Sequence, residues 1–219
     1  MQKTIARLHY ITQDIPGFTH AELTEKACVG GVKWVQLRLK NASPEHWKQE
    51  ALNTLAVCRA YGAKLLINDN VALAQEIGAD GVHLGLDDLP TKKAREILGL
   101  GMIIGGTANT FEDIQLHAAA GVDYVGVGPF RFTSTKEKLS PILGLLGYQQ
   151  LLEQCRAAGI FLPVIAIGGV TGTDVPSLFE AGVHGIAVSS AINKNENGAA
   201  SAQALLQVLE DALTTTYST

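Results

Sequence analysis

Only three cysteines occur in 219 residues, Cys28, Cys58 and Cys155, and no two form a CxxC pair. That scarcity excludes a disulfide scaffold and leaves no zinc-site spacing, so the thiols read as reduced core groups of a cytoplasmic protein. An excess of positive charge is also missing. With 17 Lys and Arg against 21 Asp and Glu, the formal charge is −4, which argues against nucleic-acid binding. Anionic ligands stay open, because a few local cations and backbone dipoles can capture a phosphate. No apolar run reaches about 18 residues, so no membrane span is expected. The first residues, MQKTIARLHYITQ, lack the apolar stretch of a secretory signal. Linkers and low-complexity tracts are absent too. What remains, 47% hydrophobic and 17% charged, supplies one large core and points to a single domain over residues 1–219.

Short β-branched runs at 8–12, 32–37, 64–67, 81–84, 102–104, 124–127, 164–167 and 185–188 read as strands. Helical stretches follow them at 21–29, 44–61, 71–77, 91–98, 111–120, 145–158, 174–181 and 199–213. Nearly all-apolar strands, each followed by a helix, imply a parallel sheet covered outside. Eight such units predict an α/β fold of the closed (β/α)8 TIM-barrel type. Helix-to-strand turns are short and glycine-containing, at 29–31, 77–80, 119–123 and 181–183, and form the stability face. Strand-to-helix turns are longer and more polar, and form the functional face.

Polar residues gather at the strand ends. After VGVG at 125–128 comes a loop with Thr133, Ser134, Thr135 and Lys136, whose hydroxyls and ammonium suit a phosphate or pyrophosphate. A solvated turn-rich loop is the alternative. Alternation sends Gln36, Arg38 and Lys40 to one side of strand 2, where two buried cations would need an anionic partner. Asn68, Asp69, Asp87 and Asp88 end strands 3 and 4. Two carboxylates there can hold Mg²⁺ beside a diphosphate, although Asp69 and Asp88 also suit helix caps. His83 reads equally as a ligand, a base or a hydrogen-bonded barrel histidine. Thr107 offers a hydroxyl or an N-cap. Gly168-Gly169 after strand 7 and Ser189-Ser190 after strand 8 suit the phosphate position common in such barrels.

The set QLRLK at 36–40, ND at 68–69, GADGVHLG followed by Asp88, TSTK at 133–136, IGGV at 167–170 and VSSAI at 188–192 resembles the thiamine phosphate synthase family. The motifs run in family order across most of the chain. The resemblance implies a TIM barrel. It also implies Mg²⁺-dependent condensation of an aminopyrimidine methyl diphosphate with a thiazole phosphate, releasing pyrophosphate. By the same resemblance Gln36, Arg38, Lys40, Asn68, Thr107 and Lys136 meet the pyrimidine diphosphate, with Arg38, Lys40 and Lys136 catalytic. Thr133, Ser134, Thr135, Gly169, Ser189 and Ser190 meet the thiazole phosphate, and Asp69 and Asp88 match the metal ligands. Three positions depart from the family pattern: Asn70 stands where Arg is common, Leu86 where Gln is common, and Thr107 where Ser is usual.

The implied chemistry needs no general base. Cations stabilise the departing pyrophosphate, and a neutral thiazole nitrogen attacks the methylene carbon. One rival is a thiazole tautomerase-like isomerase on the same fold, which uses a histidine where this chain has Asn109. Another is a non-catalytic phosphate-ligand binding barrel. The expected partners are the two small-molecule substrates, with no nucleic acid and no membrane. A homodimer is compatible with such a barrel, although no stretch of the sequence marks an interface.

Overall fold

A strand buried on both faces needs continuous apolar sequence, and its covering helix needs an apolar stripe. The computed structural model shows both, and it describes residues 3–40, 42–133, 140–193 and 197–217, the last three as backbone. In order come β1 (Leu8–Ile11), α1 (His20–Val29), β2 (Trp34–Leu37), α2 (Pro44–Ala60), β3 (Lys64–Asn68), α3 (Val71–Ile77), β4 (Gly81–Leu84) and α4 (Thr91–Leu98). There follow β5 (Ile103–Ala108), α5 (Phe111–Ala119), β6 (Tyr124–Val127), α6 (Gly144–Ala157), β7 (Val164–Ile167), α7 (Val175–Ala181), β8 (Gly185–Val188), α8 (Ser190–Asn193) and α9 (Gly198–Tyr217). Neighbouring strands pair in parallel in chain order. β8 returns to β1 through Leu8↔Ile186, His9↔Ala187 and Tyr10↔Val188, closing the (β/α)8 barrel that the strand–helix alternation predicts. No helix of the described residues is long and apolar enough to cross a membrane.

Two apolar layers hold the barrel. Outward residues such as Val35, Leu65, Ile67 and Val82 pack with Leu23, Leu55 and Ala74 of the helices. Inward residues form a second cluster of Ile5, Ile11, Trp34, Leu66, Ile103, Tyr124, Ile165 and Ala187. His9 completes the interior: its ring stacks on Trp34 at 4.5 Å, and Tyr124 meets both edge-on at 5.1 and 5.7 Å. Three rings fit only because Gly105 faces them, since a Cβ there would lie 2.2 Å from Tyr124 Cζ. β5 runs on through Gly105 and Gly106 to Ala108, past the expected end at 104, because these residues pair with Tyr124–Val127 of β6. Glycine has low strand propensity, but a neighbour from β6 requires it here.

Two of the short turns end as their composition predicts, with Gly78 (φ 65°) and Gly182 (φ 102°) in the left-handed region at helix ends. The last helix, α9, starts at Gly198, one residue before the expected 199, but a separate four-residue helix, α8, unannounced by the periodicity, begins at Ser190. The expected helix start at 174 is a 3-10 turn, Gly172–Asp174, leading into α7.

Candidate active site

The carboxyl ends of all eight strands surround one cavity of about 440 Å³. Gln36, Arg38, Asn68, Asp69, Asp88, Thr107, Thr133, Gly169, Ser189 and Ser190 all line it. Lys40 is not among the lining residues. Ser134, Thr135 and Lys136 lie outside the described residues. His83 and Asp87 join the lining, as do Thr12 and Gln13, which follow β1 without any motif to mark them.

Neither acid is a helix cap. Asn70 caps α3 by accepting the Leu73 N–H at 2.9 Å, and the N-cap position of α4 is Pro90, with no side-chain bond. Asp69 is instead the one non-glycine residue with positive φ among the described residues, at 64°. Asn70 N–H reaches back to Asn68 O at 2.8 Å, which closes a three-residue turn with Asp69 at its centre. Such turns are strained, by about 1–3 kcal/mol. Asp69 N–H donates to His83 O at 2.9 Å, so β4 holds the strained turn in place. Asp88 is pinned differently: one carboxylate oxygen accepts the Gly85 N–H. No group of three or more His, Cys, Asp or Glu able to hold a metal exists among the described residues. Two carboxylates at the rim of an open cavity do not make a closed tetrahedral site. They fit a hard cation that keeps waters and takes further oxygens from its ligand, as Mg²⁺ does.

The floor of the cavity is a pair of linked polar side chains on each side. Gln36 Nε2 donates to Asn68 Oδ1 at 2.7 Å. His83 sits between the Tyr124 hydroxyl (2.9 Å from Nδ1) and Thr107 Oγ1 (3.1 Å from Nε2). Burial pushes the Tyr124 hydroxyl far up, so it stays protonated. His83 is therefore a hydrogen-bonded barrel histidine that also borders the cavity. Thr107 is a strand residue, and the cap of α5 is Thr110, in a capping box with Asp113.

On the opposite side, Gly168 (φ 91°) and Gly169 (φ 71°) turn the backbone after β7, and Cβ atoms there would strike Pro129 and Arg131. Arg131 donates to Gly169 O at 2.8 Å and makes a bidentate pair with Asp174 at 2.8 and 2.7 Å. Burial alone would raise the Asp174 pKa. The bonds from Arg131 and Thr171 outweigh it and hold the carboxyl below the usual range. Ser189 Oγ donates to Gln13 Oε1 at 2.8 Å, and α8 starts at the next residue. Glycine backbone, two serines and a helix start suit an anion. The clamp by Arg131 was not legible in the sequence, because its partner is 43 residues away.

Asn109 is 7% exposed, and its amide nitrogen donates to both Gly128 O and Pro141 O at 2.9 Å. Both ends of the loop after β6 are thus held by one side chain.

The model of the family described as thiamine monophosphate synthase matches residues 8–192. The chain is 52% identical over 185 residues to a thiamine-phosphate synthase of Bacteroides fragilis, covering 84% of this chain and 91% of that one. It is 48% identical over 201 residues to one of Bacteroides thetaiotaomicron, covering 92% and 96%. Among solved structures, a thiamine phosphate pyrophosphorylase from Pyrococcus furiosus superimposes with a TM-score of 0.83 at 29% identity, covering 94% of this chain and 96% of that one. The cavity's order of strand-end residues and these likenesses agree: the chain belongs to the thiamine monophosphate synthase family.

Proposed function

We propose that the protein is a thiamine phosphate synthase. It joins 4-amino-2-methyl-5-(diphosphomethyl)pyrimidine to 4-methyl-5-(2-phosphoethyl)thiazole and releases pyrophosphate. The observation that carries this reading is one cavity with two different anion-facing sides. Arg38 and the acids Asp69 and Asp88 stand on the β2–β4 side, and the glycine turn with Ser189 and Ser190 stands on the β7–β8 side. Two anionic substrates can thus meet head to head within about 440 Å³.

Asp69 and Asp88 would hold Mg²⁺, which when bound neutralises charge on the diphosphate. The rest falls to the chain's own side chains. Arg38 meets the diphosphate oxygens and stabilises the charge that grows as the C–O bond breaks. Gln36 and Asn68 orient the pyrimidine end from the floor, with Thr107 beside the diphosphate. Gly169, Ser189 and Ser190 hold the thiazole phosphate, so that the ring nitrogen faces the methylene carbon. Bond breaking is dissociative, because the electron-rich aminopyrimidine supports the methylene cation. Lys40 and Lys136 belong to the same reading as further cations for the diphosphate. The isomerase alternative would place a titratable group at 109, whereas the Asn109 amide has both hydrogens committed to carbonyls. Three buried unpaired thiols accord with a cytoplasmic setting.

The test is pyrophosphate release from both substrates, with and without Mg²⁺. Release that requires all three components supports the proposal. Turnover of thiazole phosphate alone would favour the isomerase, and tight binding without release would favour a binding barrel.

A further inference from the structure

Three buried side chains from three elements meet beside the cavity, and the reaction described above uses none of them. Glu50 of α2 is 6% exposed, His20 of α1 is 5% exposed, and Thr12 at the end of β1 is 1% exposed. Glu50 Oε2 accepts the His20 backbone N–H at 3.0 Å. His20 Nδ1 lies 2.8 Å from Thr12 Oγ1, and its Nε2 lies 3.1 Å from Asp14 Oδ1. Thr12 Oγ1 also accepts the backbone N–H of Arg38 at 3.0 Å.

The strand ladder explains what Thr12 does. Ile11 pairs with Gln36, and Thr12 N–H donates to Gln36 O at 3.0 Å. The next rung of a parallel ladder would take Arg38 N–H to the Thr12 carbonyl. The Thr12 hydroxyl takes that donor instead, so the ladder ends on a side chain whose position can be set from elsewhere. A buried hydroxyl must place its own hydrogen. The Thr12 hydroxyl thus bridges the Arg38 backbone N–H and His20 Nδ1, and the far side of the ring meets Asp14.

We infer that His20 is a positioning residue for Arg38. Through Thr12 it fixes the backbone from which the guanidinium enters the cavity, and so sets affinity for the diphosphate end of the substrate. The inference rests on the reading of Arg38 as a diphosphate-binding cation. The competing explanation is architectural: His20 would only hold α1 against β1. That role would lower stability and affect both substrates alike.

Two measurements on the full chain separate these: steady-state pyrophosphate release, and calorimetric binding of inorganic pyrophosphate in the presence of Mg²⁺. His20→Ala and Thr12→Val should each raise the KM for the pyrimidine diphosphate and the Kd for pyrophosphate about tenfold. The KM for thiazole phosphate should stay within about twofold, because neither variant alters the Gln13 side chain, which carries the bond to Ser189 on the β7–β8 side. The double variant should lose no more than either single one, and neither should add to the defect of Arg38→Ala. His20→Asn keeps a hydrogen-bonding group near the Nδ1 position and Thr12→Ser keeps the hydroxyl, so both should restore most of the affinity. Thr12→Val is nearly isosteric and reads the same bond if His20→Ala fails to fold. A folded His20→Ala with wild-type pyrophosphate affinity overturns the inference, as does an equal rise in both KM values. A wild-type chain that releases no pyrophosphate from the two substrates sinks the synthase reading instead, and the binding measurement still decides whether His20 governs the anion affinity of Arg38.

Discussion

Asp69 combines backbone strain with a proposed metal-binding role, and three substitutions can separate the two. A residue with a Cβ at positive φ costs roughly 1–2 kcal/mol, somewhat less for Asp, which tolerates that region. Asp69 stands there at φ 64°. Asp69→Gly removes the strain but gives back about 0.5–1 kcal/mol in unfolded-chain entropy. The acids Asp87 and Asp88 line the same cavity, so losing one carboxylate also reduces repulsion. The net expectation is a gain of up to about 1 kcal/mol, or roughly 2–4 °C in Tm for a chain of this size. Asp69→Asn should be neutral within about 0.5 kcal/mol, since Asn also tolerates this backbone. Asp69→Ala keeps the Cβ and loses that tolerance, and should melt roughly 2–4 °C lower. All three should lose at least about 100-fold in turnover. In wild type, Mg²⁺ at ten times its Kd should add about 1.4 kcal/mol of stability, and that shift should vanish in each variant. Thermal melts with and without Mg²⁺, read beside pyrophosphate release, decide the matter. If Asp69→Gly melts well below wild type, the strain argument is wrong. If Asp69→Asn keeps turnover and its Mg²⁺ shift, Asp69 is no metal ligand.

Other expectations concern the scaffold. Gly105→Ala places a methyl 2.2 Å from Tyr124 Cζ, and should destabilise by about 1–3 kcal/mol in chemical denaturation; an unchanged midpoint would mean the interior is loosely packed. His9 is held neutral, its pKa pushed well below 6.5 first by burial and then by His83. The unfolded chain therefore binds the proton more readily, so this contribution to stability is full above about pH 6.5 and is lost as pH falls toward the lowered value. His9→Phe should flatten that slope in urea titrations between pH 6.5 and 5, and an unchanged slope would assign it to other groups. Asn109→Asp keeps the shape but removes the two N–H donors to Gly128 and Pro141. It should cost about 2–4 kcal/mol in urea unfolding, because two carbonyls and a new charge are left buried; a loss below about 1 kcal/mol would show that the loop ends are held by other contacts.

The eight strand–helix units were legible because β-branched runs and helical stripes are local patterns. β5 was cut short because Gly105 answers to Tyr124, a residue from another strand. α8 has only four residues, too few for a period to show. The motif residues Gln36, Asn68, Asp69 and Ser189 were legible as strand-end residues, and all four line the cavity. The contacts of Thr12 with Arg38, His20 with Thr12 and Arg131 with Asp174 were not legible, because no spacing announces them. Capping shows a finer ambiguity. Asp69 and Asn70, or Thr107 and Thr110, are equally suitable by residue type. Only the backbone decides which of each pair turns toward the helix and which toward the cavity.

The stacked rings of His9, Trp34 and Tyr124 stopper the lower end of the barrel. Because Trp34 and Tyr124 open β2 and β6 while the cavity lies at the carboxyl ends of the strands, packed rings and not solvent form the cavity's underside.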